Sequence, residues 1–93
     1  MNIEIIYWEI KDSDPSISVL NRLIDKDCLS QWSSVENIVD KLWFENQSDG
    51  YWGAIVIWDK EKPDLSSLPP NKPKSIIGRE PDVRLSLDLI SRL

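Results

Sequence analysis

The chain has 93 residues, 41% hydrophobic and 29% charged, with 16 acidic against 11 basic side chains and a net charge of −5. That length holds one globular domain, residues 1–93, and the acidic balance argues against non-specific nucleic-acid binding, which needs Lys and Arg to neutralise phosphates. Five Trp and no His exclude a Ser-His-Asp or Cys-His triad, a His general base and an imidazole zinc site.

Asn2 to Ile10 reads as a strand that is apolar on both parities, with Ile3, Ile5 and Tyr7 against Ile6, Trp8 and Ile10. Such a strand is expected at the centre of a sheet covered on both faces. Glu4, Glu9 and the lack of a basic n-region argue against a signal peptide, and no apolar run approaches the ~18 residues that span a bilayer. A single Cys permits no internal disulfide. A cytoplasmic protein is expected, with the sequon Asn46-Gln47-Ser48 unused.

Asp14 (or Ser13) as N-cap with Pro15 behind it predicts the start of a helix. Ile17, Leu20, Ile24, Cys28 and Trp32 form one apolar stripe, so the helix is expected to run from Pro15 to Trp32. Val35–Glu45 and Tyr51–Asp59 read as the second and third strands, joined by a tight hairpin at Asp49-Gly50. Asp64–Leu68 and Asn71–Gly78 are short helical possibilities, the latter closed by a left-handed Gly78 cap. Val83–Ile90 is the fourth strand. The order β-α-β-β-α-β predicts a ferredoxin-like α+β fold with a four-stranded antiparallel sheet.

A two-residue turn would pair Ser48 with Tyr51. Ile38, Leu42 and Phe44 then share a face with Gly53, Ile55 and Ile57, while Val39, Lys41, Trp43 and Glu45 lie beside Trp52, Ala54, Val56 and Trp58. The aliphatic face is assigned to the helices and the aromatic one to a partner or ligand. A bare apolar face on so small a chain needs cover, and dimerisation through the sheet supplies it.

Lys41-Leu42-Trp43, Gly53-Ala54-Ile55-Val56-Ile57-Trp58 and Ile77-Gly78-Arg79-Glu80-Pro81-Asp82-Val83-Arg84, in this segment order, resemble the small dimeric α+β barrel proteins of the YdhR-like monooxygenase group. The resemblance implies a homodimer whose sheets pack face to face, with a small-molecule cleft between each sheet and its helices. Related folds include oxygenases that use neither metal nor flavin and act on electron-rich aromatic substrates that reduce O₂ themselves. No catalytic motif of that group maps residue by residue onto this chain.

The candidate substrate-binding residues are Tyr7, Lys41, Trp43, Trp52, Trp58 and Arg84, with no metal and no cofactor. Trp and Tyr suit a pocket that grips a flat ring, and suit a core or dimer interface equally. Trp8 is a further member of that aromatic set. Lys41 and Arg84 interrupt apolar strands. Edge exposure is the structural reading of both, with a salt bridge to Glu45 or Asp88 for Lys41 if it shares the face of Trp43, and binding of an anionic or enolate-like substrate oxygen by one of them is the functional one. Asp40 and Asp88 also interrupt strands and are candidate bases if they point inward. Cys28, on the helix stripe, reads as a small buried hydrophobe. Gly50-Tyr51 echoes an RNA-recognition motif, but Asp49 and Trp52 replace its basic and small residues. The expected function is therefore a cofactor-independent monooxygenase-like protein that binds a small aromatic or conjugated substrate. The alternative is a non-catalytic small-molecule-binding or dimerisation domain.

Overall fold

The computed structural model describes residues 1–93. Strands β1 (Asn2–Glu9), β2 (Ile38–Asn46), β3 (Tyr51–Trp58) and β4 (Val83–Asp88) form one antiparallel sheet in the order β2-β3-β1-β4. Helices α1 (Ile17–Asn21), α2 (Lys26–Ser33) and α3 (Lys72–Ile77), with a 3-10 turn at Leu65–Ser67, make the crossovers. The architecture is α+β, compatible with a ferredoxin-like arrangement, and β1 is an inner strand as expected, although the chain covers only one face of the sheet rather than both. No helix is long and apolar enough to cross a membrane.

The helix expected over Pro15–Trp32 is two helices. Asp25 is extended, and its Oδ1 accepts from the Cys28 N–H at 2.9 Å, so a second N-cap interrupts the stripe. The first cap is Ser16, whose hydroxyl accepts from the Val19 N–H at 3.2 Å, rather than Asp14 or Ser13. Asn37, at φ 66°, stands between α2 and β2, and β2 begins three residues later than expected. In α3 the expectation holds: Asn71 Oδ1 accepts from the Lys74 N–H at 3.1 Å, and Gly78 caps the helix at φ 82°.

The β2–β3 hairpin pairs Asn46, not Ser48, with Tyr51, so four residues make the turn. That shift is by two, which preserves the alternation of side chains and leaves the expected faces intact. Ile38 departs from them, because a bulge between Ile38 and Asp40 sets it opposite Trp58.

The faces are used the other way round from expectation: the helices cover the aromatic face. The buried core is Trp8, Leu20, Trp52, Ala54, Val56 and Trp58, and Trp8, Leu20 and Trp52 cluster within it with Ile17, Leu23 and Ile24 packed around them. Trp carries the most apolar surface to remove from water, and its indole N–H needs an acceptor that this side of the sheet supplies. Trp52 Nε1 donates to Asn21 Oδ1 at 2.8 Å, and Trp8 Nε1 to the Arg79 carbonyl at 3.1 Å. The aliphatic face is left bare, with Leu42, Leu85 and Leu87 each 46–47% exposed. Tyr7 lies on this bare face, packed against Phe44 and Tyr51 at ring separations of 6.2 and 5.1 Å.

Arg79 clasps the α3–β4 connection to the end of β1. It donates to Asp82 Oδ2 at 2.7 Å, to Asp14 Oδ2 at 2.9 Å and to the Glu9 carbonyl at 2.8 Å. Hydrogen bonds from Arg79 hold the Asp14 and Asp82 carboxyls below the ordinary carboxylate value of 3.8, reinforced by the backbone N–H groups of Lys11 and Glu9. A depressed folded-state pKa contributes stability above the unfolded value, which is lost as pH falls through the folded one. Thermal melts should therefore show a clasp contribution at pH 7 that disappears below about pH 3.8. In Arg79→Met that part of the acid sensitivity should be missing.

Candidate functional site

The helix-facing side of the sheet is built in rows. Lys41, Val56, Glu4 and Ser86 lie side by side across the four strands, and Trp43, Ala54, Ile6 and Arg84 form the next row. Small Ala54 and Val56 occupy the middle of these rows and tall Trp side chains stand around them, so the centre of the face is hollow. The roof is the α1–α2 segment, with Ile24 and Trp32, and the Leu65–Pro70 stretch before α3. Together they enclose a cleft of about 640 Å³, within the range of small-molecule sites.

Of the candidate residues, Lys41, Trp43, Trp52, Trp58 and Arg84 line this cleft and Tyr7 does not. The cleft also takes Trp8, Trp32 and Glu4. Glu4 carries the signal that the sequence reading passed over, a carboxylate at an inward position of a central strand. It is buried, at 7% exposure. Its Oε1 accepts from Trp58 Nε1 at 2.7 Å, and its Oε2 lies 3.2 Å from Lys62 Nζ and 3.8 Å from an Arg84 nitrogen. A buried carboxylate is tolerated only with such partners. Arg84 stands at an exposed edge position as expected, on strand β4 with its side chain 43% exposed, and from there it reaches Glu4. Asp40 and Asp88 are exposed, and Asp40 spends one oxygen on the Lys41 N–H at 2.9 Å.

Lys41 pairs with neither Glu45 nor Asp88. Its Nζ sits 3.2 Å from the centroid of the Trp32 ring and 5.1 Å from that of Trp43, and forms no ion pair or hydrogen bond within the chain. No fully enclosed side-chain nitrogen or oxygen lacks a partner, so this unpaired amine opens on the cleft. Burial among aromatic carbon pushes its pKa down from 10.5 to about 8, against a smaller upward pull from the Glu4 carboxylate. Burial pushes the Cys28 thiol up, which keeps it protonated and unreactive at neutral pH.

The five Trp therefore divide by role. Trp8, Trp52 and Trp58 have bonded indole N–H groups and belong to the frame, whereas Trp32 and Trp43 flank the free amine. The charges divide as well. Lys41, Lys62, Lys72, Lys74 and Arg84 line the cleft against only Glu4 and Glu80, although the chain as a whole carries −5. No three His, Cys, Asp or Glu side chains converge anywhere in the chain.

Fold and site together define an α+β protein with an open four-stranded sheet and a basic, Trp-walled cleft beneath its helices. No protein-family model matches the chain, and no curated protein matches it.

Proposed function

We propose that the cleft binds a small aromatic or conjugated anion, and that two copies of the chain close on each other through the bare aliphatic sheet face. One observation carries the binding reading: an acidic chain concentrates five of its 11 basic side chains and all five Trp around one cleft. Low-dielectric walls focus such a field and favour an anion. Trp32 and Trp43 would grip the ring, while Lys41 and Arg84 take its negative oxygen.

The reaction that suits this site is the cofactor-independent oxygenation of the group the sequence resembles. There the protein's part is to position an electron-rich substrate and stabilise its anion, which itself reduces O₂. Titration with 1-hydroxy-2-naphthoate, followed by Trp fluorescence, should give saturable, salt-weakened binding. Lys41→Met should weaken it about tenfold, equivalent to about 1.4 kcal/mol. Oxygen uptake with quinols and anthrones tests the chemistry. Binding without uptake across such a panel would reject the oxygenase and leave a binding protein, and no saturable binding would reject both.

The bare face supports the homodimer, because apolar side chains from all four strands stand on it without cover. Sedimentation should give a dimer for the parent chain and a monomer for Leu42→Asp with Leu85→Asp. Trp43→Ala, on the opposite face, should leave the dimer intact and weaken naphthoate binding.

A further inference from the structure

We infer that Lys41 is a carbonyl-reactive amine, and that the cleft captures a conjugated aldehyde or ketone as an imine on its Nζ. The inference uses the cleft of the proposed function but requires neither an anionic ligand nor any reaction with O₂. Three features of the geometry point to it. The amine ends in the cleft, it has no carboxylate or hydrogen-bond partner, and the Trp32 and Trp43 rings fix its position there.

The step balances without an oxidant or reductant. The neutral amine attacks the carbonyl carbon, a C–N bond forms, and the carbonyl oxygen leaves as water with the two amine protons. Once protonated, the imine is a cation in the place of the ammonium, and the Trp32 face that holds the ammonium at 3.2 Å holds it by the same attraction. Glu4 lies on the same row two strands away, about 10 Å by strand spacing. It supplies counter-charge without forming a salt bridge that would quench the nucleophile. With a pKa near 8 in place of 10.5, the neutral fraction at pH 7 is on the order of a hundredfold larger than for an ordinary lysine.

The test is reductive trapping of the intact protein at pH 7 with 2-naphthaldehyde and sodium cyanoborohydride, with adducts located by peptide mass spectrometry. Lys41 should be alkylated at least tenfold faster than any of the other six lysines. The preference should vanish in urea, and Lys41→Arg, checked for folding by circular dichroism, should lose that adduct alone. Labelling spread evenly over the lysines, or sparing Lys41, overturns the inference. Quenching of Trp fluorescence by the aldehyde without a Lys41 adduct overturns the covalent step while leaving the cleft as a binding site. Absence of both removes the cleft reading as well.

Discussion

Gly53→Ala should lose at least about 3 kcal/mol of folding stability, enough to endanger a domain of this size. A Cβ at Gly53 would stand 2.0 Å from the Ile6 carbonyl oxygen and 2.6 Å from the Tyr7 Cβ. Two of its three nearest obstacles are backbone atoms of the central strand, so no side-chain rotation relieves the clash. Gly53 pairs with both Tyr7 and Phe44, and their rings meet edge to face at 6.2 Å. The empty position lets β1 and β3 approach and lets the two rings meet across the bare face. Gly78→Ala is the contrast: nothing lies within 4 Å of its added Cβ, and only the φ of 82° is strained, for about 1 kcal/mol. Urea midpoints for the two variants should differ widely, and equal shifts would contradict this account of Gly53.

Glu4→Ala should lose about 3 kcal/mol, because it leaves the Trp58 indole N–H without its acceptor and Lys62 and Arg84 without the charge between them. Glu4→Gln, which keeps an oxygen for Trp58, should lose less than half as much. Both variants remove a negative charge that raises the Lys41 pKa, so the pH midpoint for alkylation of Lys41 should fall below about 8. A midpoint that stays in place or rises would show that Glu4 and Lys41 do not share one electrostatic site. Equal loss in the two variants would show that the indole bond contributes nothing.

Much of the frame is legible in the residues alone. Ile on both parities of Asn2–Ile10 marks the central strand, Asn71 and Gly78 mark the ends of α3, and alternation places Lys41, Trp43, Trp52 and Trp58 on one face. That last assignment survives a wrong turn length only because the error is two residues. The split between α1 and α2 is local and still escapes a stripe-based reading, since the apolar period continues through Leu23 and Ile24 while Asp25 caps a new helix.

The sequence by itself determined the α+β order of elements, the two faces of the sheet and the exclusion of His-dependent chemistry, because these follow from side-chain alternation and residue type. Only the tertiary structure decided which face the helices cover. Both faces are apolar enough to be buried, and the choice turns on acceptors for indole N–H groups that come from Asn21 and Arg79, outside the sheet and far from the Trp in sequence. It also decided that Lys41 stands unpaired between Trp32 and Trp43, since those two indoles come from different elements and meet only when α2 folds down on the sheet.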